Sequence, residues 1–212
     1  TSDGQQMLWD AERTPVTMIA YAPFMSEATP DASLTVNALT NQSTEENVKS
    51  SDFLLMKATV DPEQDLTADG KLKISLNHAM SKLIIKITVN GTTDASMSKL
   101  GDMAINGAVV NATCDLSAAA PVVVPAADAV VATVAPYKGT ESCECILPPQ
   151  KIAEGFSVNF SYDGKLYIWT AKEAIELEKG VEHTLTLNVN TTVRLAAKVA
   201  RNWATGQLID RN

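Results

Sequence analysis

The residues most able to do chemistry here are two histidines and three cysteines. His78 lies in "SLNHAMSKLIIKITVN", residues 75–90, between two stretches with a strand-like pattern. His183 falls on the inward parity at the start of another such stretch. An imidazole in either place could be a general base or a metal ligand, but both roles need partners at defined spacing. Neither histidine belongs to an HxH or HExxH pattern, so each is expected to serve shape through a hydrogen-bonded ring. Cys143 and Cys145 form "CEC", which puts both on one side of an extended chain. Spacing leaves three arrangements open: a metal site with Cys114 and a histidine, a disulfide using Cys114, or free thiols.

The chain has no G-x-S-x-G elbow and no phosphate-cradling G-x-x-x-x-G-K-[ST] loop. Its carboxylates, such as Asp61, Glu63 and Asp65 or Glu173, Glu176 and Glu178, read as turns and wet strand edges. No pair stands out as the facing acids of a glycoside hydrolase. The aromatics of "AYAPF" and "YIWT" could stack on sugars, but their parity points into a core. The expectation is a protein that is not an enzyme, with no cofactor and no metal.

The elements that would carry these residues read almost entirely as strands and turns. Residues 14–24 and 52–60 are β-rich runs, separated by a polar stretch over 26–51 read as a long loop or an inserted excursion. In "KLKISLN", Leu72, Ile74 and Leu76 alternate with polar residues. In "KLIIKITVN", Leu83, Ile85, Ile87 and Val89 make one face. This period of two marks strands with a wet side, and residues 77–81 could close an antiparallel hairpin between them. Pro121 and Pro125 confine "PVVVP" to a sheet edge. The clearest hairpin is "FSVNFSYDGKLYIWT". Its Asp163-Gly164 pair favours a two-residue type I′ turn, which sets Phe160 opposite Tyr167 and Val158 opposite Trp169. "VEHTLTLNVN" aligns Val181, His183, Leu185, Leu187 and Val189, and "VRLAAKVARNW" could be a strand or an Ala-containing helix, its alternation of Val193, Leu195, Ala197 and Val199 favouring the strand.

With 212 residues the chain can bury a sizeable core, and its turn spacing fits all-β sandwiches. A boundary near "GTTDAS" predicts one sandwich over residues 1–95 and another over 96–212. The net charge of −8 disfavours nucleic-acid binding. No apolar run approaches the roughly 20 residues of a membrane span. Thr1 opens no signal peptide, so any targeting segment is expected to have been removed.

Several segments together, in order, resemble the fimbrillin-like family, surface pilins of type V pili in anaerobic gut and oral bacteria. "VTMIAYAPF" is similar to a family strand ending in alternating aromatics, with Ala22 in place of the second. "SSDFLLMKA" and "CILPPQ" resemble its Asp-hydrophobic-Leu and Leu-Pro-Gln segments. "ISLNHAMSKLIIKITVN" resembles its most recognisable stretch, a strand, His-x-x-Ser/Ala-Lys-Leu and a second strand. "YIWT" and "LEKGVEHTLTLNVN" resemble its closing hairpin, His183 standing where Tyr is usual, and "RNW" with Trp203 its terminal Trp. The matching pieces run from Val16 to Trp203.

The resemblance implies two transthyretin-like β-sandwich domains in tandem, export as a lipoprotein precursor and a cell-surface location at the outer membrane. It implies a pilin or pilus-tip adhesin whose partners are other pilin subunits, and host or bacterial receptors or glycans. His78 and Lys82 are then expected to fix a structural hairpin. In the family a protease cuts after Arg and releases the first strand, and a strand from the next subunit fills the groove. Arg13 is the only Arg ahead of the first matching strand, which makes it the candidate processing site. Family members carry more residues before that strand, so the N-terminal sandwich is expected to lack early strands. The alternative is a surface glycan-binding β-sandwich using Trp9, Tyr137 or Trp203. A third reading, a hydrolase on a sandwich scaffold, needs paired acids or a His–acid pair within hydrogen-bond reach in a pocket.

Overall fold

A computed structural model describes residues 12–26, 29, 31–92 and 95–190, and the backbone of strands at 196–199 and 206–211. The first part of the chain forms β1 (Val16–Ala22), β2 (Ser33–Thr35), helix α1 (Glu45–Ser50), β3 (Leu54–Val60), β4 (Asn77–His78) and β5 (Ser81–Val89). Then come β6 (Leu100–Val109), β7 (Ala112–Asp115), β8 (Val123–Pro125), β9 (Val131–Val134), β10 (Tyr137–Lys138) and β11 (Cys143–Leu147). The rest is β12 (Gln150–Ile152), β13 (Ser157–Tyr162), β14 (Lys165–Ala171), β15 (Ile175–Leu177), β16 (Glu182–Val189), β17 (Ala196–Val199) and β18 (Gly206–Arg211). The fold is all-β, as the patterning implies.

Two five-stranded sheets dominate, ordered β10-β11-β5-β16-β17 and β18-β14-β13-β6-β9. Smaller sheets are β1-β3-β4, β2-β7-β8 and the pair β12-β15. Buried apolar side chains from all five sheets belong to one contiguous core. β5 sits at the centre of the first sheet, antiparallel to β11 and parallel to β16. Alternation explains its burial: Ser81, Leu83, Ile85 and Ile87 point inward. In register across the sheet, Cys145, Leu83 and His183 form one row, and Cys143, Ile85 and Leu185 the next.

The Asp163-Gly164 hairpin forms as expected. Asp163 and Gly164 have φ of 51° and 76°, the left-handed pair of a type I′ turn. Phe160 pairs with Tyr167 and Val158 with Trp169. The Phe160 and Tyr167 rings stack with centroids 5.4 Å apart. β8 lies at a sheet edge, as its prolines require.

The hairpin expected around residues 77–81 does not form. Both edges of β5 are occupied, one by β11 and the other by β16, so residues 71–77 have no place beside it. His78 pairs instead with Leu54 of β3. Of the expected strand "KLKISLN", only Asn77 enters a strand, and Ile74 is exposed. The polar stretch over 26–51 is also more than a loop, since it holds β2 and α1. Thr44 caps α1 by accepting a hydrogen bond from the Asn47 N–H, and Glu45 and Glu46 fill the first turn. Strand pairing crosses residue 95 in two sheets: β5 with β11 and β16, and β2 with β7.

Candidate functional site

The start of the parallel β5–β16 pair, with α1, β4, β10 and β11, encloses a groove of about 450 Å³. Its floor includes the buried side chains of Val48, Met80 and Ile146. Gln42, itself buried, holds that floor. Its side chain donates to the Ile146 carbonyl and accepts from the Ile146 N–H, both at 2.8 Å. The amide thereby satisfies both backbone groups of Ile146, as a neighbouring strand would.

Polar groups line the walls. His78 Nδ1 lies 2.6 Å from Asp52 Oδ2, with the imidazole 65% exposed and the carboxylate 17%. Asp52 Oδ1 is buried without a hydrogen-bond partner among the described residues. Lys82 Nζ lies 2.8 Å from Glu144 on β11 and 3.6 Å from Glu182 on β16. Burial opposes the Lys82 charge, but the hydrogen bond and charge of Glu144, helped by Glu182, outweigh it and hold its pKa above the ordinary value. The Tyr137 hydroxyl donates to Glu45 Oε1 at 3.0 Å, a bond that raises the phenol pKa.

The structure thus brings His78 and Lys82 to one groove, in roles other than a hairpin clasp. Through Asp52, His78 joins β4 to the segment just ahead of β3. Lys82 ties β5 to both neighbouring strands. The period-two pattern of β5 put Lys82 on the polar side, but its two acidic partners are remote in sequence. No local signal pointed to Asp52, Glu144 or Gln42.

The His–acid pair that a hydrolase needs is present in His78 and Asp52. Catalysis also needs a group for the imidazole to activate, and no hydroxyl or thiol among the described residues hydrogen-bonds His78 Nε2. The cysteines are free and buried. Burial pushes the Cys143 thiol up to about 11 and raises Cys114 and Cys145 as well. They remain protonated at neutral pH and pack as small apolar groups in the core. His183 is buried and accepts a hydrogen bond from the Glu178 N–H at 2.9 Å on Nε2. Burial lowers its pKa, so the ring is neutral.

Arg13 is exposed, with a left-handed φ of 54°, three residues ahead of β1. Among the described residues β1 is the end strand of its sheet, paired with β3. Of the aromatics considered for glycans, Tyr137 lines the groove half-buried, while Trp9 and Trp203 lie outside the described residues. No helix among the described residues is long and apolar enough to cross a membrane.

Among the described residues the chain is all-β, and no catalytic triad is assembled. Comparison with known proteins places that description in a family. The model of the fimbrillin-like family matches residues 1–203, and the chain belongs to that family. Several solved structures match its fold, two of them as follows. One is a candidate cell adhesion protein from Bacteroides uniformis, 17% identical, with a TM-score of 0.69 over 98% of this chain and 77% of that one. The other is a candidate cell adhesion protein from Bacteroides ovatus, 19% identical, with a TM-score of 0.57 over 89% of this chain and 67% of that one. No curated protein matches the sequence.

Proposed function

We propose that this protein is a fimbrial subunit of the cell surface, a pilin or pilus-tip adhesin without catalytic activity, that joins its neighbours by β-strand addition. The observation that carries the reading is the family match over residues 1–203. The exposed Arg13 and the end strand β1 support a route. Cleavage after Arg13 removes residues 1–13 and frees the segment leading into the edge of the β1-β3-β4 sheet. A strand from the next subunit then adds along the β1 edge, with main-chain hydrogen bonds supplying affinity. The precursor reaches the outer membrane through a lipid anchor.

Size-exclusion chromatography with light scattering, before and after limited trypsin treatment, tests this. A ladder of oligomers, with loss of a peptide ending at Arg13, is the expected result, and Arg13→Ala abolishes it. A species that stays monomeric after losing that peptide would overturn strand addition.

One observation favours a second reading, a surface glycan-binding β-sandwich. Tyr137 presents its ring in the groove beside carboxylates and Lys82, the mixture of aromatic and polar groups that saccharide sites use.

A further inference from the structure

The groove at the start of β5 and β16 has a charge pattern that narrows what it can hold. Glu45, Asp52, Glu144 and Glu182 line it against Lys49 and Lys82, with His78 on Asp52, so acids outnumber lysines around the groove. An anion such as a phosphate or a sialylated glycan is repelled. A cation finds its counter-charges already engaged: Asp52 on His78, Glu144 and Glu182 on Lys82, and Glu45 on the Tyr137 hydroxyl. What remains is unused hydrogen-bonding capacity. Each carboxylate offers about four acceptor positions, and its present partner uses only part of them.

We propose that this groove is a saccharide site that takes a neutral pyranoside of mono- or disaccharide size. The proposal rests on the glycan-binding reading above and does not depend on fimbrial assembly. A sugar hydroxyl both donates and accepts, so it enters a network of alternating carboxylates and ammonium groups without displacing an ion pair. Lys82 and Glu144, 2.8 Å apart, present a donor and an acceptor side by side, the pairing that two adjacent ring hydroxyls require. A pyranose also has an apolar C–H face. The floor of Val48, Met80 and Ile146 and the ring of Tyr137 supply its counterpart.

The site is also held in place before any ligand arrives. Gln42 fixes the floor at Ile146, and Glu45 fixes the Tyr137 hydroxyl. The wall at residues 180–182 closes on the link between β4 and β5 through the Gly180 N–H, which donates to the Met80 carbonyl at 2.8 Å. Gly180 has a φ of +68°, and a Cβ there would come within 3.1 Å of the His78 carbonyl oxygen, so the wall approaches this closely only with glycine. Such preorganisation reduces the ordering cost of binding a small polar ligand. The volume, about 450 Å³, falls within the range of small-ligand sites.

The test is saturation-transfer NMR and isothermal titration on the full chain. The neutral probes are lactose, maltose, mannobiose and N,N′-diacetylchitobiose. The others are 3′-sialyllactose and a tetralysine peptide. The expected result is saturable binding of at least one neutral disaccharide, little changed by salt, with no binding of sialyllactose. Tyr137→Ala and Glu144→Gln, each checked for an unchanged fold by circular dichroism, should weaken that binding about tenfold or more. Lys165→Ala, at the start of β14 and outside the groove, should leave it unchanged.

Three results would overturn the proposal. No neutral sugar binds the wild-type chain; sugar binding survives both groove variants unchanged; or salt-sensitive tetralysine binding replaces sugar binding, which makes the groove a dock for basic peptides. The same sample can be trypsin-treated. Assembly without sugar binding refutes this site and leaves the fimbrial reading intact, and sugar binding without assembly does the reverse.

Discussion

His183 and Lys82 face the same problem, an ionisable group near the core, and solve it in opposite ways. His183 gives up its charge. Burial depresses its pKa below the ordinary 6.5, so the folded chain keeps a neutral ring where the unfolded chain binds a proton. Stability from this site is full above about pH 6.5 and falls as the pH drops toward the folded pKa. His183→Gln keeps an acceptor for the Glu178 N–H but cannot titrate. Thermal unfolding of the variant between pH 7 and 5 should show a flatter acid slope than the wild type; an equal slope would assign it to other groups.

Lys82 keeps its charge because Glu144 meets it. Glu144→Ala leaves the ammonium only Glu182 at 3.6 Å, and Glu182 is 66% exposed. Urea unfolding should show a loss of about 1 kcal/mol for Glu144→Ala and less for Glu182→Ala, since an exposed pair contributes little. At this scale the sequence revealed residue character but not partners. Inward parity marked His183 as structural, and outward parity put Lys82 on the polar side. Glu144 and Glu182 lie 62 and 100 residues from Lys82, beyond any spacing argument.

Among the elements, the β13–β14 hairpin is the most self-determined. Its turn chemistry and alternation are both local, so register follows from the chain itself. Gly164→Ala puts a side chain at φ +76° in open space, and the backbone strain alone should cost about 1 kcal/mol. Trp169→Ala, deep in the core, should cost about 3–5 kcal/mol. Denaturant midpoints of both variants check the ranking, and equal losses would contradict it. The helix α1 had a readable signal in Thr44-Glu45-Glu46, a cap followed by acids, but its six residues are too few for apolar periodicity. The misread stretch "KLKISLN" shows the converse. Alternation says that a segment can be a strand. It does not say that a sheet has an edge free to receive it.

At the scale of the whole molecule, β5 decides how the chain divides. Two self-sufficient sandwiches meeting at residue 95 would separate β5 from β11 and β16, its only partners. Fragments 1–95 and 96–212, expressed separately, should therefore fail to give dispersed NMR spectra. A folded fragment would instead establish an autonomous sandwich on that side of the boundary. The sequence alone determined the all-β class, the inward residues of β5, β13, β14 and most of β16, and the Asp163-Gly164 hairpin. These rest on the two-residue period and on turn chemistry, which act between neighbours in the chain. Tertiary structure alone decided that β5 lies parallel to β16, that His78 meets Asp52, and that Lys82 and Tyr137 line one groove. Partner choice between distant strands depends on which edges remain open once every segment competes for them, and a local pattern carries no record of that competition.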